Sequence, residues 1–308
     1  MEQTCAVAGG WLQQPLTGLD GGANIAKSTK EDAMTYKTLE FECRDHIGWL
    51  TLNRPNRLNA LSVEMIQELR HFFSSLEEHL EAWVVVVRGA GRAFCAGFDM
   101  KDLAGLMDKD ASNEKGPASS ATHRHILQRA VSDVVIQMRQ APQPLIAAIR
   151  GPAVGGGFSL AMACDVRLAS QSARFNANNI RIGYSGGDMG SSYFLPRLIG
   201  LSRAAEYLYT GRVMDAATAE KIGFVSRVVP EDQLDQAATE LAQEMLGATP
   251  FALRMTKELL NINIDAPSLV AATQLEGRGN VLCGFTEDAQ EATKASFFEK
   301  RPPLYHDR

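Results

Sequence analysis

The stretch GPAVGGGFSLAMACD, residues 151–165, runs three consecutive glycines, Gly155 to Gly157, straight into strong helix formers. A glycine inside a helix costs about 1 kcal/mol relative to alanine. Where other groups must come close to the backbone, the missing Cβ is an advantage. Glycines at the start of a helix present unpaired N–H groups at the positive end of its dipole, which suits an anion or a developing negative charge. No G-K-[ST] follows and the G-x-G-x-x-G spacing is absent, so neither a P-loop nor a dinucleotide fingerprint is present. Close helix–strand packing that tolerates no Cβ accounts for the glycines equally well at this stage.

The neighbouring segments place this turn in a fold. Just before it, PLIAAIRG (144–151) reads as a buried strand. Further upstream, AWVVVVRG (82–89) is a continuous β-branched run, the pattern of a strand covered on both faces in a parallel sheet. It too leads into a glycine loop, AFCAGFDMKD (93–102), and then a helix. Strand–helix alternation with buried strands indicates the α/β class. Two glycine loops at the ends of neighbouring strands can give two backbone N–H groups to one oxygen, which is an oxyanion hole.

The rest of the chain fits around this centre. TYKTLEFECRDHIGWLTLN predicts a hairpin, with strands at 36–43 and 47–53 and a turn at Arg44–His46. Ser62 is placed to cap a helix whose apolar residues Met65, Ile66, Leu69, Phe72, Phe73 and Leu76 recur at helical spacing. Residues 105–120 are small and polar and read as a mobile loop; 122–139 read as a helix ended before Pro142 and Pro144. VRLASQSARFN (166–176) is expected to be one strand. From about residue 200 the pattern turns helical, apart from a strand at FVSRVVP (224–230). The expected organisation is a poorly ordered extension over 1–33, an α/β core over 34–249 and a helical region over 250–308.

Composition narrows the function classes. The chain has 308 residues, 45% of them hydrophobic, enough for a large core. A net charge of −5 and the lack of any Lys/Arg block argue against a general nucleic-acid binder. Five cysteines at wide spacings, with no C-x-x-C, read as reduced thiols of a cytoplasmic protein and form neither a disulfide framework nor a zinc site. No metal cluster, membrane span or secretory signal is expected.

Taken together, FCAGFDMKDL (94–103) and IRGPAVGGGFSLAMACD (149–165) closely resemble the two signature segments of the crotonase superfamily, the enoyl-CoA hydratase/isomerase family. LNRPNRLNALS, ARF, LPRLIG, TGRVMDAATAEKIGFVSRVVP and FFEKRPP resemble further family segments, in the family's order, from about Tyr36 to the C-terminus. The resemblance implies a crotonase-like spiral of ββα units, with an all-helical C-terminal part that forms homotrimers, often doubled to homohexamers. It implies an acyl-CoA thioester as substrate partner, with coenzyme A arriving as part of the substrate and no permanently bound cofactor. The thioester carbonyl would lie between the N–H groups of Phe98 and Gly156. Arg57, Leu58, Ala60, Cys95, Ala96, Asp99, Met100, Lys101 and Gly155 would line the CoA and acyl path. Phe297 and Lys300 match positions that reach CoA from a neighbouring subunit.

The catalytic acids depart from the family's hydratase pattern. The two glutamates that add water in hydratases align with Ser159 and Asn179, neither of which transfers protons usefully near neutral pH. One carboxylate remains in the region, Asp188 in GYSGGDMGSSYFLPRL, where several family members keep a working acid. A turn or helix-cap role is the alternative for Asp188. A single acid beside an oxyanion hole suits double-bond isomerisation of an enoyl-CoA. A hydratase with atypical residues and an acyl-CoA-binding protein without activity are the competing expectations. His123 and His125 lie on a segment that gives them no assigned role.

Overall fold

The computed structural model describes residues 36–102 and 117–308, without the side chains of 117–124 and 127. The expected N-terminal extension and most of the expected loop at 105–120 lie outside these residues. Tyr36–Arg308 form one compact unit. Its centre is a six-stranded sheet in the order β1 (Leu39–Arg44), β2 (Ile47–Leu52), β3 (Val84–Gly89), β4 (Leu145–Ile149), β6 (Val166–Ser170), β9 (Arg227–Val229). β1 and β2 pair antiparallel, and every later pairing is parallel. The hairpin turns at Asp45 and His46, both at positive φ.

The valine run shows why this sheet is central. Val85 and Val87 face one apolar cluster with Leu69 and Phe72 of α1 (Val63–Ser75) and Met138 of α2 (Pro117–Gln140). Val84 and Val86 face a second cluster with Leu234, Ala238 and Ala242 of a later helix. Alternate residues of a strand point to opposite faces, so only a strand covered on both sides can be apolar throughout. Ser62 caps α1 as expected, accepting from the Met65 N–H at 3.1 Å.

VRLASQSARFN is not one strand. It forms β6 and then β7 (Arg174–Asn176), which joins a separate three-stranded sheet in the order β5 (Pro152–Val154), β7, β8 (Met214–Asp215). The chain turns between them where Ala173 N–H bonds back to Ser170 C=O at 3.0 Å and Ser170 meets Ser172 through their hydroxyls. Residues 178–182 form a short 3-10 turn. α2 begins at Pro117, earlier than expected.

The glycine stretch makes β5 and then α3 (Gly156–Ala163), entirely buried. A further helix, α4 (Ser191–Ile199), follows Asp188. From Pro250 onward the described elements are helical, and no helix among the described residues is long and apolar enough to cross a membrane. In this chain alone that region exposes Leu269, Phe285, Phe297 and Phe298, each by 72% or more.

Candidate active site

The two glycine loops run side by side. Cys95 N–H donates to Pro152 C=O at 3.0 Å, and Val154 N–H donates to Cys95 C=O at 2.9 Å, so the first loop pairs with β5. Two residues on, Leu61 N–H donates to Gly97 C=O at 2.7 Å and Asp99 N–H donates to Leu61 C=O at 3.0 Å. Extended backbone alternates its polar groups, so Phe98 N–H points away from Leu61. Among the described residues it has no acceptor.

The second loop turns at Gly155, at φ +53°, a conformation that strains any residue with a Cβ. Its N–H is used by Asn176 C=O at 2.9 Å and its C=O by Ser159 N–H at 3.1 Å. Gly156 is the first residue of α3, and its N–H likewise has no acceptor among the described residues. A Cβ on Gly97 would stand 3.6 Å from the Gly156 nitrogen, so the two loops meet there. A Cβ on Gly157 would lie 2.1 Å from Cys95 C=O. The packing account of the glycines therefore holds at Gly157, while Gly156 adds a free donor.

Ser159, Asn179 and Asp188 come together. Asn179 Nδ2 donates to Asp188 Oδ2 at 3.2 Å, and Ser159 Oγ donates to the Asp188 carbonyl at 3.0 Å. Met189 N–H donates to Asp188 Oδ1 at 2.9 Å. Met189 has φ +46°, and its sulfur would lie 3.2 Å from a Cβ on Gly156. The Asp188 segment thus lies directly against the second glycine loop. The following helix is capped at Gly190 and bonds Asp188 through its backbone alone: the Asp188 carbonyl accepts from Ser191 N–H at 2.9 Å, and Asp188 N–H donates to Ser191 Oγ at 2.9 Å. The carboxylate does not serve as that helix's cap.

Asp188 and Asn179 line a cavity of about 430 Å³ together with Phe98, Met100, Gly155 and Tyr184. Ala96 also belongs to its wall, as do Gln128, Val131, Val154 and Ile182. Gly156 lies just behind, with the Phe98 ring 3.5 Å from where its Cβ would be. Ser159 is buried beneath Asp188. Gln128, on α2, donates to Asp188 Oδ1 at 2.7 Å and is a site residue that sequence reasoning missed. No local motif marks it; sixty positions separate it from its partner.

Two expected CoA contacts are interior instead. Cys95 is 0% exposed, both its backbone groups are bonded, and burial pushes its thiol up to about 12. Asp99 is buried against Arg54, whose Nη2 lies 3.0 Å from Asp99 Oδ2. Burial opposes the Asp99 charge, but the Arg54 bond, the Lys101 N–H and the Arg54 charge outweigh it and hold the carboxyl below the usual range. Both residues build the loop. Arg57, Lys101, Phe297 and Lys300 are exposed, Leu58 and Ala60 are half-buried, and none of them lines the cavity. His125 is exposed and does not line it either.

Residues 42–308 match the family model for enoyl-CoA hydratase/isomerase. The chain belongs to the enoyl-CoA hydratase/isomerase family. Among its relatives in this family is the probable enoyl-CoA hydratase echA12 of Mycobacterium bovis. It is 39% identical over 264 residues, covering 86% of this chain and 90% of the relative. The probable enoyl-CoA hydratase echA8 of the same organism is 36% identical over 275 residues, covering 89% of this chain and all of its own. The crystal structure of an enoyl-CoA hydratase from Bacillus anthracis superposes with a TM-score of 0.80 at 34% identity, covering 88% of this chain and 100% of that one. The likeness confirms the crotonase fold expected for this family, with its mixed α/β body and helical C-terminal part.

Proposed function

We propose that this member of the enoyl-CoA hydratase/isomerase family is an acyl-CoA enzyme that moves a double bond within an enoyl-CoA. One observation carries the reading. Among the described residues, Asp188 is the carboxylate in the wall of the cavity that also holds the meeting point of the two loops, and the N–H groups of Phe98 and Gly156 have no acceptor there. In this reading coenzyme A enters as part of the substrate. The thioester oxygen sits between the two N–H donors. Asp188 takes a proton from the α carbon of a β,γ-enoyl thioester as the C–H bond breaks. The electron pair moves onto the thioester oxygen, giving a dienolate that the fixed donors stabilise. Asp188 then returns the proton to the γ carbon, and the double bond ends conjugated to the carbonyl.

The two backbone donors are rigid because their loops are tied by the bonds through Cys95, Leu61 and Gly155. Preorganised donors of this kind are each worth roughly 3–4 kcal/mol where charge develops in a dry site. The names of the relatives favour a second reading, hydration of a conjugated enoyl-CoA, with Asp188 activating water in place of the paired glutamates. Assembly into homotrimers or homohexamers through the apolar C-terminal helices belongs to the same proposal, because a solvated monomer rarely keeps such a surface exposed.

Product analysis distinguishes the two chemistries. The protein is incubated with a β,γ-enoyl-CoA and separately with an α,β-enoyl-CoA, and products are weighed by mass spectrometry. Isomerisation leaves the mass unchanged and makes the conjugated thioester. A product heavier by one water from either substrate, with no conjugated isomer accumulating, supports hydration instead. No turnover of any thioester, with binding retained, refutes both.

A further inference from the structure

Asp188 is held from three directions. Gln128 Nε2 and Met189 N–H both donate to Oδ1, at 2.7 and 2.9 Å, and Asn179 Nδ2 donates to Oδ2 at 3.2 Å. A carboxylate offers about four lone-pair positions, two on each oxygen. Oδ1 is therefore filled, and Oδ2 keeps one position open. Gln128 and Asp188 line the same cavity, Gln128 from α2 and Asp188 from the segment before α4. The Met189 bond is local to the turn. The Gln128 bond crosses from a separate helix, so it ties the carboxylate to a second element of the cavity wall.

We infer that Gln128 is a positioning residue that occupies Oδ1 of Asp188 and so leaves Oδ2 as the atom that exchanges the proton with substrate. The inference rests on the proposed role of Asp188 as acid and base. The last torsion of an aspartate side chain is broad and roughly two-fold, so an unheld carboxylate offers either oxygen. The hold from α2 removes that freedom. The same atom can then take the α proton and deliver it to the γ carbon of one bound dienolate without rotating. Small losses of alignment at a reacting group cost up to about 100-fold in rate.

The test is the kinetics of Gln128→Met, which keeps the length and loses the donor, and of Gln128→Ala, which removes the side chain without adding a charge beside Asp188. Both are measured on a β,γ-enoyl-CoA, with thermal unfolding as the folding control. The expected result is a fall in kcat of about tenfold or more in each variant, with KM within about twofold of the parent. An unchanged kcat, or a raised KM at unchanged kcat, overturns the inference and makes Gln128 an ordinary wall residue. Asp188→Asn is measured beside them. If it keeps turnover, the proposed function fails and the positioning role with it. If it loses turnover while both Gln128 variants keep kcat, only the positioning role fails.

Discussion

Asn179 Nδ2 lies 3.2 Å from Asp188 Oδ2, so a position the family resemblance assigns to a catalytic glutamate holds an amide that steadies the remaining carboxylate. Ser159, the other such position, donates its hydroxyl to the backbone of the same aspartate at 3.0 Å. Both residues bond to Asp188, and neither carries a carboxyl group of its own.

Asn179→Asp tests that relationship. It puts two carboxylates at hydrogen-bond distance, and like charges oppose the second ionisation of such a pair. We expect the acid limb of the kcat/KM profile to move to higher pH, with the activity lost at low pH recovering as pH rises. A profile that superposes on the parent's contradicts the contact.

Phe98 contributes its backbone N–H to the proposed hole and its ring to the wall, with Cζ 3.5 Å from a Cβ position on Gly156. Phe98→Ala leaves the N–H in place and widens the acyl site. Turnover of a short acyl chain should stay within a few-fold of the parent, while kcat/KM for a branched or bulky chain rises. Because the ring is only half-buried, urea unfolding should show a loss of about 1–3 kcal/mol, below that of a core phenylalanine. A specificity series that does not shift shows that the ring does not bound the acyl site.

The Arg54–Asp99 pair fixes the first glycine loop and makes stability depend on pH. The folded value of Asp99 is depressed, so its contribution is complete above the unfolded carboxylate value near 3.9 and is lost as pH falls through the folded value below it. Asp99→Asn leaves Arg54 largely buried with no charged partner and should cost about 3 kcal/mol at pH 7. Denaturant titrations of both proteins should converge as pH drops below about 3.9. An equal gap at pH 7 and at low pH rules this ion pair out as the source.

The parts of the fold that were legible in the sequence are those set by local chemistry. Ser62 announces its helix, and the four valines require cover on both faces. The break in VRLASQSARFN was not legible, because the turn at Ser170–Ala173 depends on β7 leaving for another sheet, and alternation alone cannot register a corner. At the site, the glycine loops and Asp188 stood out by residue type. The inward packing of Cys95 and Asp99 was not legible, because adjacency to a glycine loop in sequence does not say which side chains turn inward. Gln128 was invisible because its partner is brought to it only by the packing of α2 over the cavity.

The most direct test of the account is the turnover of a β,γ-enoyl-CoA by Asp188→Asn, with thioester binding measured on the same preparation. Removal of a positioned acid/base costs roughly 10²–10⁴-fold. In Asp188→Asn, kcat should fall by that much while the dissociation constant for the acyl-CoA stays within about threefold, because the two backbone donors are untouched. Turnover that survives in Asp188→Asn contradicts it.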